Sequence, residues 1–304
     1  MKRLRFLVSL ITQENDFQLE QAADAQETAR RLGVDIETIY AGNDAITQST
    51  QILRAIQSPP ETRPDAIVFE PAGGTAFPQV ARAAVSAGIG WVVLNREANY
   101  LAELRRSSRV PVFSVTSDHV AIGKIQAQQY AALLPKGGSV LYIQGPSESS
   151  AAKDRTAGMQ KSLPPNIQIT LLRGQWTEES AHKSVASWLK LNLLHRVSID
   201  LIGSQNDVMA VGARKAFEEV TNFEDRERWL RLPFTGVDGL PQTGQSWVKA
   251  GTLKATVVVP PNTGQALTML TEAINKSSAV PERTFTVATS MPAVDKLSID
   301  KFAR

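Results

Sequence analysis

Short apolar runs bounded by turn residues alternate along this chain with stretches whose apolar side chains recur every three or four positions. The runs Leu4–Thr12, Val34–Tyr40, Ala66–Glu70, Trp91–Leu94 and Val112–Thr116 predict strands. Between the first two, Leu19, Ala22, Ala23, Ala29 and Leu32 follow helical spacing from Phe17 up to Gly33, a residue suited to a left-handed helix cap. Ala45–Gln57 and Phe77–Ala87 read as helices, closed by Pro59-Pro60 and by Gly88. A loop carrying Arg105, Arg106 and Arg109 is expected before Val112.

After Ser117-Asp118 the pattern starts again. Strands are expected at Ser139–Gln144, Ile167–Leu172, from Leu201, at Phe234–Val237 and at Ala255–Val259. Helices are expected at Val120–Leu134, Ala151–Leu163, Glu178–Leu194, Gln242–Ala250 and Gly264–Asn275. The run from Leu201 stops at Gly203-Ser204, exposes Gln205, Asn206 and Asp207, and passes into a helix with Val208, Val211 and Ala216 on one side. A last extended run, Phe285–Thr289, leads to an irregular tail. The fold class is α/β, with two doubly wound parallel-sheet lobes. No Ser/Gly-rich linker lies near Ser117, so the crossover is expected to be short and tight, as in proteins that close around a ligand.

Composition removes several functions. The 304 residues suffice for a large core, and a net charge of +3 spread along the chain calls for no nucleic-acid or membrane partner. Absence of cysteine excludes disulfides, thiolate metal sites and cysteine nucleophiles. His119, His182 and His195 lack zinc spacing and are expected on helix surfaces; no metal or cofactor is expected. Gly244-Gln245-Ser246-Trp247-Val248 fails the G-x-S-x-G pattern at its last position, and neither nucleotide-binding glycine motif occurs, so an enzyme is not expected. Ala72-Gly73-Gly74-Thr75 lacks a following Lys and reads as a tight turn, while Glu178-Glu179 and Glu218-Glu219 read as solvated helix faces. The opening Lys2, Arg3 and Arg5 before FLVSLI imitate an export signal, but the apolar run is short and is read as the first strand. No run approaches the ~20 apolar residues that span a bilayer.

The residues that follow the strands carry the candidate chemistry: Gln13, Asn15 and Phe17; Glu70; Asn95 and Arg96; Ser147 to Ser149, with Arg155 in the next helix; Trp176; Asn206; and Asp238. Open α/β sheets bind small ligands at these carboxyl edges. Amides, carboxylates and guanidinium groups match adjacent hydroxyls, and Phe or Trp packs on the C–H face of a sugar ring, so a neutral polyhydroxylated ligand fits. Each residue also has a local reading. Asn206, Asn95 and Asp238 can cap helices or brace turns, Arg155 can pair with Asp154, and Trp176 can be core.

Gln205-Asn206-Asp207 with Met209-Ala210 and Gly212-Ala213, Gly236-Val237-Asp238-Gly239, Leu94-Asn95-Arg96, and Ser150-Ala151-Ala152 through Arg155 to Gly158-Met159 carry a resemblance. The chain resembles type I periplasmic sugar-binding proteins of the ribose-binding kind, which share their fold with the effector-binding core of lac-repressor-type regulators. The resemblance implies ligand contacts from Asn15, Phe17, Asn95, Arg96, Arg155, Trp176, Asn206 and Asp238, with Gln13, Gln18, Glu70 and Val259 nearby. It implies lobes of residues 1–117 plus 260–289 and 118–259 plus 290–304, with crossovers near Ser117, Val259 and Ala288. Asn95 stands where the family has Asp, Gln18 where it has a second aromatic, and Val259 where it often has Gln; these departures point from plain ribose toward another sugar, a polyol or a related signal molecule. The function implied is that of a monomeric solute-binding protein serving a permease of an ABC-type importer, or a sensor. Its location would be periplasmic or extracytoplasmic after removal of an export signal, with cytoplasmic placement left open. The other reading is an effector-binding module of a regulator without its DNA-binding domain, since Leu4 already begins the first strand.

Overall fold

A computed structural model of the protein describes residues 3–73, 77–96, 98–192, 198–276 and 278–298. In chain order its elements are β1 (Arg5–Leu10), α1 (Asp16–Leu32), β2 (Asp35–Tyr40), α2 (Ala45–Gln57), β3 (Ala66–Phe69), α3 (Pro78–Ser86), β4 (Gly90–Leu94), α4 (Leu101–Ser107), β5 (Val112–Ser117), α5 (His119–Leu133), β6 (Gly138–Gln144) and α6 (Ser150–Ser162). There follow β7 (Ile167–Arg173), α7 (Glu178–Asn192), β8 (Leu201–Ser204), α8 (Asp207–Glu218), α9 (Phe223–Leu230), β9 (Phe234–Asp238), α10 (Gly244–Ala250), β10 (Ala255–Val258), α11 (Thr263–Lys276), β11 (Arg283–Thr286) and β12 (Thr289–Met291), then a 3-10 turn at Val294–Lys296. The chain divides into one unit of Met1–Ser117 with Pro261–Thr286 and another of Asp118–Pro260 with Val287–Arg304.

In the first unit a parallel sheet runs β11-β5-β4-β3-β1-β2. β3 and β4 are buried at every residue, which is why they read as continuous apolar runs rather than alternating ones. One face packs Ile52, Ile67, Phe69, Ala81 and Trp91 under α2 and α3; the other packs Phe6, Val8, Val68, Phe113 and Leu267 under α1 and α11. Gly33 closes α1 at φ 68, the left-handed cap expected of it.

The second unit repeats the plan with order β12-β10-β9-β8-β6-β7, parallel except for β12, which pairs antiparallel with β10. α5 and α6 approach until their backbones nearly touch. A Cβ on Gly123 would sit 2.0 Å from the Arg155 carbonyl oxygen, and one on Gly158 would sit 2.1 Å from that of Val120. Only glycine permits this contact, and it fixes the height at which α6 presents Arg155.

Several expectations are corrected. The Arg105 segment is a helix, α4, not a loop: Leu101 and Leu104 are buried one turn apart, while Arg105 donates to the carbonyls of Val112 and Val280. Seven residues are too few to display a period, and one of the bonds that hold Arg105 reaches across the chain to Val280. α9 also went unread, because within it Trp229 alone is buried. The run Phe285–Thr289 is not one strand: it divides at Thr286, β11 joining the first sheet and β12 the second. On α8 the buried face is Met209, Ala210, Ala213, Ala216 and Phe217, with Val208 and Val211 half-buried, because α7 packs closely on this side. Gly74 and Thr75, the end of the helix expected to reach Leu194, and His195 lie outside the described residues.

Candidate functional site

In the first unit the loop after β1 and the residues after β3 and β4 stand at the carboxyl edge of the sheet. Asn15 is the N-cap of α1: its Oδ1 accepts from the N–H groups of Phe17 and Gln18 at 3.0 and 3.3 Å. Phe17 is half-buried and Gln13 exposed. Gln18 turns inward. Its Oε1 accepts from Ile11 N–H at 2.9 Å and its Nε2 donates to Glu70 Oε2 at 2.9 Å, so the residue in place of a second aromatic braces the loop from below.

Glu70 is the centre of this cluster. It is only 3% exposed; Oε2 also accepts from Asn95 Nδ2 at 3.2 Å, and Oε1 lies 3.2 Å from Arg96 Nη1. Arg96 donates back to the Asn95 carbonyl at 2.9 Å, and its side chain keeps 16% exposure. Asn95 sits in the left-handed region at φ 53, a conformation Asn tolerates better than most residues, and its side chain is wholly engaged within the unit. Its Oδ1 accepts from Ser117 N–H, Ser117 Oγ and Asn262 Nδ2 at 3.2, 3.4 and 2.6 Å. The cluster therefore presents Arg96 outward on a carboxylate and amide base.

In the second unit the corresponding edge carries Arg155, Trp176, Asn206, Asp238 and Val259. Arg155, 6% exposed, donates to the Gln205 carbonyl, has Nε 3.4 Å from His119 Nδ1, and places Nη1 3.9 Å from Asp238 Oδ1. Its guanidinium stands 5.6 Å from the centre of the Trp176 ring. Trp176, at φ 64, lies over Gly145, where any Cβ would come within 2.3 Å of the indole. Asn206 is the N-cap of α8, Oδ1 accepting from Met209 N–H at 2.9 Å, while Nδ2 donates to the Trp176 carbonyl at 3.0 Å. Capping and placement of Trp176 thus belong to one side chain. Asp238, at φ 100, keeps 18% side-chain exposure, and Val259 is buried with its N–H on the Asp238 carbonyl at 3.0 Å.

Gln205, Asn206 and Asp207 are all buried, not exposed as the polar triplet suggested. Gln205 escaped the sequence reading as a site residue. Its Oε1 accepts from Gly145 N–H at 2.9 Å, and its Nε2 lies 2.8 to 3.0 Å from Tyr142 Oη, the Ala152 carbonyl and Thr156 Oγ1, joining β6, α6 and the Trp176 platform. Its place beside Asn206 in a strand-end triplet was the available signal. Asp207 has a structural role: Oδ1 accepts from Thr256 Oγ1 at 2.6 Å and Oδ2 from Gly239 N–H at 2.7 Å. Burial, and then the neighbouring Asp238 charge, push its carboxyl well above the ordinary carboxylate range. Burial likewise raises the Tyr142 hydroxyl to about 12.

Each cluster opposes one guanidinium to one carboxylate, Arg96 to Glu70 and Arg155 to Asp238. Among the described residues no group of three or more His, Cys, Asp or Glu side chains could hold a metal ion. No helix among them is long and apolar enough to cross a membrane.

The chain is similar to the ribose import binding protein RbsB of Salmonella typhimurium, with 25% identity over 251 residues covering 83% of this chain and 77% of that protein. It is 28% identical over 223 residues to a xylitol-binding protein of Mycolicibacterium smegmatis, covering 71% of this chain and 57% of that one. Its fold matches that of an ABC transporter periplasmic solute binding protein from Actinobacillus succinogenes with bound D-allose, at a TM-score of 0.80, 22% identity, and coverage of 95% of this chain and 97% of the other. These are proteins that bind sugars or polyols, not enzymes. The periplasmic binding protein domain family matches residues 6–277, and the chain belongs to it.

Proposed function

We propose that the protein captures a neutral sugar or polyol and presents it, outside the cytoplasm, to the permease of an ABC-type importer. The observation that carries this reading is the pairing of the guanidinium in each cluster with a carboxylate. With Arg96 against Glu70 and Arg155 against Asp238, both clusters offer hydrogen-bonding groups without a net charge for an ionic ligand to meet. The Trp176 ring, backed by Gly145 and steadied by Asn206, adds a flat surface for the C–H face of a ring. Asn15, Phe17, Arg96, Arg155, Trp176, Asn206 and Asp238 are the contacts proposed, with Glu70 and Gln18 beneath Arg96 and Val259 closing the floor beside Asp238. The protein acts as a monomer in this reading. The similarity to ribose- and xylitol-binding proteins supports the ligand class.

Thermal unfolding in the presence of D-ribose, D-allose, xylitol, myo-inositol and nucleosides tests the proposal, because a ligand that binds only the folded state raises Tm. A concentration-dependent rise with a neutral sugar or polyol is expected. No rise with any of them, together with turnover of an activated ester, would overturn it.

A further inference from the structure

Each of the three passages of chain between the units reaches the first unit at one buried polar cluster. Ser117 is the last residue before the first passage, Asn262 the second residue after the next, and Thr286 the last before the third. Ser117 and Asn262 both donate to Asn95 Oδ1, and Thr286 Oγ1 lies 3.4 Å from Ser117 Oγ. Gln21, from α1, locks the second passage: its Nε2 donates to Asn262 Oδ1 at 2.8 Å and its Oε1 accepts from the N–H groups of Asn262 and Thr263 at 2.9 and 3.1 Å. At its other end the Asn95 amide donates to Glu70, which holds Arg96.

The carboxamide of Asn95 is a rigid planar group with the Arg96–Glu70 pair on its nitrogen side and the passages on its oxygen side. A tilt imposed at one side displaces the other. Asn95, Ser117, Asn262 and Thr286 are all buried, so a broken bond here is not replaced by water and the cluster holds or shifts as one.

We propose that Asn95 is a positioning residue rather than a ligand contact, and that through it occupancy at Arg96 and Glu70 is coupled to the conformation of all three passages. This rests on the sugar-binding reading above. Hydroxyls bound at Arg96 and Glu70 steady the carboxylate, the carboxylate orients the Asn95 amide, and the amide tightens its bonds to Ser117 and Asn262. Such coupling is reciprocal, so a change that loosens the passages weakens binding by the factor by which ligand would have tightened them.

Hydrogen–deuterium exchange at the amides of residues 117, 262 and 263 tests this, with and without whichever of D-ribose, D-allose, xylitol or myo-inositol raises the wild-type Tm. In wild type, saturating sugar is expected to slow exchange at these amides. In Asn262→Ala the slowing is expected to shrink, and Kd to rise, by about fivefold, within the usual range of coupling. A merely structural role would speed exchange equally with and without sugar, leaving the ratio unchanged, and that result overturns the proposal. So does a wild type that binds sugar without slowing at these amides. If Asn262→Ala does not fold, Ser117→Ala, which removes only the hydroxyl links, carries the same readout. A wild type that binds none of the sugars overturns the sugar-binding reading, and this inference with it.

Discussion

Arg96 stands 3.2 Å from Glu70, with the arginine side chain 16% exposed and the glutamate 4%, so the cation faces outward from a carboxylate that water scarcely reaches. Gln18 and Asn95 add their amide donors to that carboxylate. Glu70→Gln removes the charge and turns an NH2 group toward donors that need an acceptor. Urea unfolding is expected to show a loss of about 2 kcal/mol, the cost of leaving a buried charged group short of its partner. An unchanged midpoint would mean that Arg96 finds solvent instead.

Asn206 serves a helix end and an aromatic platform at once, and two substitutions separate these tasks. Asn206→Asp retains a cap oxygen for Met209 but loses the donor to the Trp176 carbonyl. Its unfolding free energy is expected to fall, because at this buried position a carboxylate oxygen then faces the Trp176 carbonyl, and sugar binding is expected to weaken as the ring shifts. Asn206→Ala loses both: about 1 kcal/mol of stability for the cap, and about 2 kcal/mol of binding for the unpaired partners. Denaturation and calorimetric titration of the two variants check this.

Arg155→Ala removes the group that touches Asp238, the Gln205 carbonyl and the face of Trp176. Sugar affinity measured by titration is expected to fall by about 2 kcal/mol or more. Wild-type affinity in this variant would show that the second unit's contacts lie elsewhere.

Gly123→Ala probes the same arginine from behind. The new methyl would meet the Arg155 carbonyl at 2.0 Å, so α6 must move for it to fit. A stability loss of about 1–3 kcal/mol is expected from overpacking, accompanied by weaker binding, because Arg155 shifts with its helix. Thermal unfolding with and without sugar reads both effects.

Asp207 sets a pH dependence opposite in sign to that of an ordinary paired carboxylate. Its folded pKa is raised above the ordinary 3.8 by burial and by the Asp238 charge. The unfolded chain therefore gives up this proton first. The stability this group contributes is complete below its unfolded pKa and is lost as pH rises through the folded one, with a slope of up to about 1.4 kcal/mol per pH unit. Asp207→Asn lacks this dependence, keeping an oxygen for Gly239 N–H and an NH2 group for Thr256 Oγ1. Denaturation across pH is expected to show the variant gaining on wild type as pH rises; a difference constant with pH would place the Asp207 pKa near its ordinary value.

The fold was legible because its determinants are local. β3 and β4 announced themselves as continuous apolar runs, α1 by its period and Gly33, and α2 was bounded correctly at Ala45 and Gln57, ahead of the two prolines. The strand ends were legible for the same reason, and they brought Glu70, Arg96, Trp176, Asn206 and Asp238 to notice. The amino-acid sequence by itself thus determined the alternation of strands and helices apart from α4, α9 and the break between β11 and β12, the two largely parallel sheets, and the residue types at their carboxyl edges. Tertiary structure decided which of those residues face outward and which are spent inside. Asn95 and Gln18 are bound into the first unit by Ser117, Asn262, Glu70 and Ile11, and Gln205 is bound into the second by Tyr142, Ala152 and Thr156, partners scattered far along the chain. A strand end shows that a polar group needs a partner. Whether that partner is ligand or protein depends on which distant donors and acceptors the folded backbone brings within about 3 Å, a distance that local pattern does not encode.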